Sequence, residues 1–498
     1  MDPVDPRDIK PDPRMLGKRI LFVGVNDNRK DYIWEIIDRL GAETYAVGNL
    51  PTEDMERKVK KYIYYDFSQH SQDQHHAEAI VKLVKAQLGD VDGSICFWDA
   101  DIPLAALVTA RLGKPGISYA GALAAMSKTL TLEALTSSDQ DHGKGSEAVK
   151  YASRCFTIES AADVKKCVEK IGLPAVLKTE FGAGAMGVKL VHSLQEAVDH
   201  FNRIQVLHDE HKDRSYILGG NYKRSCVLME YLEGSEHCVD LALYHGELVC
   251  AFVSDKGPPI PPNVFKTVIT MPSLLPDEKL EPVITAAFEC CKALGLSHGV
   301  FDVDIMLTKS GPKLIEINPR MGGYCQREFI LQCYNVDLVH LSCMIACNIR
   351  PHFALLDGSS ESGEKFAVLP SRASRVSLSS VGEEFVLTES AMHAVPSNHS
   401  HMVGMYVFPW RHGKALKTTA TPEILQRLHD DGELFFICYD HQVREYDHEI
   451  PFCSVAVKAE SFVKARDKMV AICQRIGLEA DDVSLEELLD YFKTDDVA

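Results

Sequence analysis

Asp302, Asp304, Glu316 and Asn318 stand at two-residue intervals on either side of a turn-forming stretch, Thr308, Lys309, Ser310, Gly311 and Pro312. The flanking runs, residues 298–307 and 313–320, alternate apolar and polar side chains, the pattern of a β-hairpin. A turn centred on Ser310 opposes Asp304 to Glu316 and Asp302 to Asn318, and the period of two puts all of them on one face. Opposed residues hold their Cβ atoms roughly 4.5–5.5 Å apart, where like charges destabilise a sheet unless something neutralises them. A divalent cation does so. Two carboxylates and an amide oxygen are hard donors suited to Mg²⁺, an ion that keeps several waters and is commonly shared with substrate phosphates. Phosphate chemistry follows. A merely solvated acidic strand does not account for Asn318 and Arg320 continuing the pattern.

Residues 173–179 read as a strand that carries Lys178 and runs into Gly182, Ala183, Gly184, Ala185, Met186 and Gly187, formally a GxGxxG. The dinucleotide fingerprint needs a helix after its glycines, whereas residues 188–192 continue as a strand. The segment is therefore expected to be a hairpin loop whose backbone amides approach phosphate oxygens, with Lys178 as a point charge beside them. Ser127 is expected to cap a helix that has Lys128 in its first turn. A cation there is unfavourable unless an anion lies nearby. Residues 226–243 read as a strand, a turn at Gly234 and Ser235, and a second strand. Glu230, Tyr231 and Leu232 suit an adenine through backbone and apolar contact, and Glu236 suits ribose hydroxyls.

These residues need a large scaffold to hold them. A chain of 498 residues predicts about three domains, and 46% hydrophobic with 25% charged residues is the composition of a soluble globular protein. A net charge of −18 opposes binding to a polyanionic backbone, so no nucleic-acid partner is expected. Fifteen cysteines without paired CxxC spacing fit neither a disulfide framework nor a zinc site, and suit the reducing cytoplasm. No basic leader opens the sequence and no apolar run approaches the roughly 20 residues of a spanning helix, so no membrane role is expected.

Residues 1–15, rich in Pro and Asp, read as a disordered tail. Residues 16–120 read as an open parallel α/β domain, with strands at 19–25, 44–47 and 94–98 and an amphipathic helix at 31–40. Polar stretches at 137–146, 208–214 and 357–364 read as loops. The last is the expected boundary to a C-terminal α+β domain, 351–498, with a strand at 433–438 and a helix at 461–476.

Taken in order, Lys128, Lys178 with the glycine loop, Glu230 to Leu232 with Glu236, Asp304 and residues 316–320 resemble the ATP-grasp superfamily of carboxylate-amine ligases. The resemblance spans roughly residues 120–350. Residues 318–323, together with Met271, Pro272 and Ser273, resemble its L-amino-acid ligase branch. The resemblance implies an α/β (α+β) chain of ATP-grasp fold, with an N-terminal open parallel domain, a two-part ATP-binding module at 121–350 whose lid covers about 176–232, and a C-terminal α+β domain. It also implies ATP and Mg²⁺ as cofactors, two ions of Mg²⁺ or of Mn²⁺ in its place. Lys128 and Lys178 then contact phosphates, Gly182, Gly184 and Met186 belong to the closing loop, and Asp304, Glu316 and Asn318 hold the metal. Arg320 steadies charge developing on an acyl phosphate and its adduct, a task that needs a preorganised cation. Gly322 and Gly323 leave room for the acyl substrate. Small-molecule amino acids are the implied partners and a homodimer the implied assembly. The rival expectations are a bicarbonate-activating carboxylase and a nucleotide-binding regulatory protein without turnover.

Overall fold

Strands β1 (Arg19–Val23), β2 (Glu43–Gly48), β3 (Lys61–Tyr64) and β4 (Gly93–Ile95) form a parallel sheet ordered β3-β2-β1-β4 in the computed structural model. The structure describes residues 11–25, 30, 32–49, 53–137, 147–182, 187–210, 224–259, 266–351, 367–368, 394–395, 400–439, 451–478 and 484–493. β1 is an uninterrupted apolar run because helices cover both faces of such a sheet. Strand order reverses between β1 and β4, and the chain leaving β4 carries Trp98 and Asp99 out of that crevice.

Residues 11–15, expected as the end of a disordered tail, are instead anchored. Asp12 accepts from Arg14 and from His340 Nε2 at 2.9 Å, and Met15 is fully buried. Composition had suggested freedom, but one ion pair and one core side chain are enough to fix the segment. Residues 1–10 lie outside the described residues.

β5 (Cys155–Ile158), β6 (Ala175–Thr179), β7 (Lys189–Val191) and β8 (Cys226–Glu230) form an antiparallel sheet ordered β5-β8-β6-β7. It packs on helices Ala161–Ile171 and Leu194–Glu210. This sheet begins before residue 176, where the lid is expected to start, because β5 pairs with β8 from Cys155 opposite Met229 to Ile158 opposite Cys226. Residues 208–210, expected as loop, complete the second helix. Ala197, Phe201, Ile204 and His208 recur at helical spacing and are buried, and a large apolar side chain buried in this way stabilises by about 1.5–3 kcal/mol.

The central sheet contains β9 (Ser235–Tyr244), β10 (Glu247–Lys256), β11 (Val268–Met271), β12 (Gly299–Thr308) and β13 (Gly311–Asn318). A short pair, β14 (Ala367–Val368) and β15 (Ala394–Val395), forms a separate two-stranded sheet. β16 (His401–Val407), β17 (Phe436–Tyr439) and β18 (Cys453–Ala459) complete an order of β13-β12-β9-β10-β11-β16-β18-β17. The C-terminal segment thus has its own apolar core around helix Phe462–Ile476 but shares this sheet, through β11 paired with β16. The expected boundary at 357–364 lies outside the described residues, as do 138–146 of the first polar stretch.

β8 and β9, expected as one hairpin, belong to different sheets. Both edges of β8 are already taken, by β5 and β6, so residues 231–234 cross between sheets rather than turn. Gly234 makes the crossing at φ +154°, where a Cβ would lie 2.1 Å from the Leu307 carbonyl oxygen. Among the described residues no single helix is long and apolar enough to cross a membrane.

Buried His70 lies with Nδ1 3.0 Å from Asp73 and Nε2 3.4 Å from Asp101. Burial disfavours its imidazolium, but the two carboxylates outweigh burial and raise its pKa from 6.5 to about 9. A raised folded-state pKa contributes stability that is complete below the unfolded value and is lost as pH climbs through the folded one. Urea titration of wild type and H70Q should therefore show a gap of at most about 3 kcal/mol near pH 6 that closes by pH 10.

Candidate active site

The β12–β13 ladder opposes Asp304 to Glu316 and Asp302 to Asn318, the register expected from the sequence. It gets there by a different route. Thr308 pairs with Gly311, so the turn is only Lys309 and Ser310, and uninterrupted pairing from it would set Ile315 against Asp304. A β-bulge between Asp304 and Ile305 absorbs Ile315 and returns Glu316 to the polar face. Ile315 then lines an apolar cavity with Leu132, Cys155, Met229 and Leu314, bordered by Lys128 and Glu316.

β9 adds to the same face, because opposed residues share a side. Glu236 lies opposite Met306, Cys238 opposite Asp304 and Asp240 opposite Asp302, while Lys256 of β10 lies opposite Glu236. Carboxylates therefore crowd one surface. Lys256 Nζ is 2.6 Å from Asp304 Oδ1 and 3.1 Å from Glu236 Oε1, and Lys266 Nζ is 3.4 Å from Glu236 Oε2. Lys128 Nζ lies 3.8 Å from Glu316 Oε2 and donates to the Gly182 carbonyl at 3.1 Å. Asn318 Nδ2 donates to Asp302 Oδ2 at 3.3 Å, which leaves its amide oxygen as the free donor atom for a cation.

These charges set the protonation of the site. Burial pushes the Asp304 carboxyl up, Lys256 offsets this in part, and Asp302, Glu236 and Glu316 add to the rise. Burial also acts on Glu236, but Lys256 and Lys266 outweigh it and hold that carboxyl at about 2. Glu316 is lowered against its burial by Lys128, Lys178 and Lys256. A hard cation beside Asp304, Glu316 and Asn318 would relieve the excess negative charge at Asp304, so the donor set fits Mg²⁺.

Arg320 sits between two carboxylates. Its Nε is 2.8 Å from Asp99 Oδ1, its Nη2 donates to Asp99 Oδ2 at 3.1 Å, and its Nη1 is 3.6 Å from Asp302 Oδ2. Burial works against the guanidinium charge, yet Asp99 and Asp302 raise its pKa further. Lys178 is buried on β6, one residue before the end of that strand. Ser127 caps helix Lys128–Thr136 as expected, and its hydroxyl also donates to Glu180 at 2.8 Å, tying that helix to the residue just after β6.

Other expected residues are placed differently. The Glu230 side chain accepts from Arg154 Nε at 2.9 Å and from the Arg154 amide at 2.8 Å, and its own amide donates to the Arg154 carbonyl at 3.0 Å, so neither group is left to face a base. Tyr231 is exposed and Leu232 half-buried on the crossing segment. Gly322 donates its amide to Asp240 Oδ1 at 2.8 Å, and a Cβ there would approach that same oxygen to 2.8 Å. Its lack of a side chain serves Asp240; Gly323 is the one with open space. β7 follows the glycine loop as a strand, as expected, while Gly184 and Met186 lie outside the described residues. Sequence reasoning missed Lys256, Asp240 and Asp99. Only Asp99 carried a usable signal, its place just beyond a strand end at the reversal of strand order.

The model of the ATP-grasp domain matches residues 171–328. The chain carries an ATP-grasp domain. Carnosine synthase 1 of Homo sapiens is 35% identical over 480 residues, which are 96% of this chain and 53% of that protein. The Mus musculus carnosine synthase 1 is 32% identical over the same shares. The chain thus spans about half the length of the curated relatives it matches. Alanine--anticapsin ligase of Bacillus subtilis (strain 168) is 24% identical over 61% of this chain and 65% of that one. The L-amino acid ligase from Bacillus licheniformis superposes with a TM-score of 0.64 at 14% identity, covering 92% of this chain and 98% of that one, which shows a common fold. The ATP-grasp fold and the resemblance to amino-acid ligases expected from the sequence are borne out.

Among the described residues the direct contacts of Asp99 with this cluster are to Arg320, which makes it a candidate positioning residue. D99A should lower substrate-dependent ADP release by at least about tenfold with the apparent ATP affinity unchanged, and D99E should recover part of the rate, since a small misplacement of a charge-stabilising group costs rate rather than binding. Steady-state kinetics with varied ATP checks this.

Proposed function

We propose that the chain is an ATP-dependent carboxylate-amine ligase acting on amino acids. The observation that carries this reading is the opposed pair Asp304 and Glu316, with Asn318 beside it, flanked by Lys128 on one side and Arg320 on the other. A carboxylate oxygen of the first substrate attacks the terminal phosphorus of ATP and ADP leaves. The amine nitrogen of the second then attacks the acyl carbon, phosphate departs, and the nitrogen loses a proton as the amide forms.

Lys128 and Lys178 hold phosphate oxygens, so that little beyond positioning and charge neutralisation is asked of the protein. Asp304, Glu316 and Asn318 would hold Mg²⁺, which would supply charge neutralisation between an anionic carboxylate and an anionic phosphate. Arg320, oriented by Asp99, faces the oxygens on which charge grows in the acyl transfer. The lid sheet of β5 to β8 carries Lys178 and excludes water from the acyl phosphate. The apolar cavity beside Ile315 and Met229 receives the adenine.

Similarity to carnosine synthase 1 supports β-alanine and L-histidine as the substrate pair and a carnosine-like dipeptide as the product. A homodimer in the cytoplasm completes the reading. A matrix of amino-acid pairs, scored for ADP release and product mass, tests it. Release should require both an acid and an amine and yield the dipeptide mass, and E316Q should reduce it by at least about a hundredfold while circular dichroism stays native. Bicarbonate-stimulated release without a dipeptide would assign a carboxylase instead, and undiminished activity of E316Q would remove the metal assignment.

A further inference from the structure

Lys256 lies outside the motifs read from the sequence, yet among the described residues it is the cation in closest contact with the carboxylate row. It leaves β10 opposite Glu236 and crosses β9 diagonally, so that one ammonium lies 2.6 Å from Asp304 Oδ1 and 3.1 Å from Glu236 Oε1. Lys266 takes the other oxygen of Glu236, which leaves Lys256 as the counter-charge shared between Glu236 and Asp304. Its side chain is 20% exposed, so it forms part of the wall of the site rather than the core beneath it.

We propose that Lys256 is a resident counter-cation that makes this site accept a divalent metal together with nucleotide rather than alone. The inference rests on the metal and nucleotide reading given above. A free divalent ion that seeks Asp304 must displace an ammonium already in contact with that carboxylate, and it brings no anion for the ammonium to turn to. Mg²⁺ also gives up its waters reluctantly. A metal–nucleotide complex removes both obstacles, since its phosphate oxygens offer the displaced ammonium a new anionic partner on the same face. Metal and nucleotide then strengthen each other's binding, and by linkage the coupling is equal in both directions. An ion pair serving only to brace β9, β10 and β12 would produce no such coupling.

Mn²⁺ is the probe, read as protein-bound metal separated by rapid ultrafiltration on titrating the full chain with and without saturating ADP, with a protein-free titration subtracting the Mn²⁺ held by ADP itself. Wild type should bind Mn²⁺ at least about tenfold more tightly with ADP than without. K256M and K256Q should bind Mn²⁺ alone at least about tenfold more tightly than wild type, because a unit charge this close outweighs a tenfold change even when well screened. Their coupling to ADP should shrink in proportion, while K256R behaves as wild type. The proposal is overturned if the neutral variants bind Mn²⁺ alone no better than wild type, or if both fail to fold, which would make the lysine a structural brace. If wild type binds no Mn²⁺ even with ADP, the metal and nucleotide reading itself fails; if it binds Mn²⁺ with ADP and the variants leave binding of the metal alone unchanged, only the role of Lys256 falls.

Discussion

Glu236, Asp240, Asp302, Asp304 and Glu316 share one face of a single sheet, and the rest of the structure is arranged around the cost of holding them there. A carboxylate taken from water needs a partner close by, and removing one partner leaves its mate uncompensated. The partners come from separate parts of the chain. Lys128 enters from a helix, Lys178 from β6, Lys256 from β10 and Arg320 from the loop after β13. No short segment could supply them all. Charge balance therefore ties the β5–β8 sheet, the central sheet and the N-terminal segment to one surface, where these cations converge.

The opposite face of the same strands shows how burial decides function. Ser235, His237 and Asp255 make a relay, with Ser235 Oγ 2.7 Å from His237 Nε2 and His237 Nδ1 2.8 Å from Asp255 Oδ1. Side-chain types and distances are those of a nucleophilic triad. All three are fully buried, however, and Asp255 is further occupied by the Ser273 hydroxyl and the Leu274 amide, each donating at 2.6 Å. No substrate reaches a hydroxyl placed there. The relay satisfies buried polar atoms and pins the segment after β11 to β10, which steadies the strand that presents Lys256 on the other side.

What could be read from the sequence was what depends on neighbours along the chain. Alternation in β12 and β13 fixes which residues share a face, and Ser127 announces a helix start, because both effects act within a few residues. The turn shows the limit of such reading. A centre at Ser310 gives the right partners for Asp304, but the chain uses a shorter turn and a bulge at Ile315, and both routes leave the same four polar residues aligned. Contacts between distant segments left no trace. Lys256 follows an ordinary strand pattern, and only the pairing of β9 with both β10 and β12 brings it to Asp304. The anchoring of Asp12 by His340 is hidden by composition, and β8 cannot pair with β9 for a reason found in β5 and β6.

Arg320 shows what the N-terminal domain contributes. A lone guanidinium facing Asp302 could swing with its flexible stem, and its charge would then be spread over many positions. Contacts from Nε and Nη2 to the two oxygens of Asp99, with Nη1 donating to the Met321 carbonyl at 2.9 Å, leave its plane little freedom. Asp99 is itself fixed, because it follows Trp98, which stacks on Trp34 with centroids 6.4 Å apart at the end of the parallel sheet. A charge that must meet a transient anion is useful in proportion to how little it has to reorganise. The end of the parallel sheet, the crevice region of a doubly wound domain, thereby fixes the orientation of Arg320.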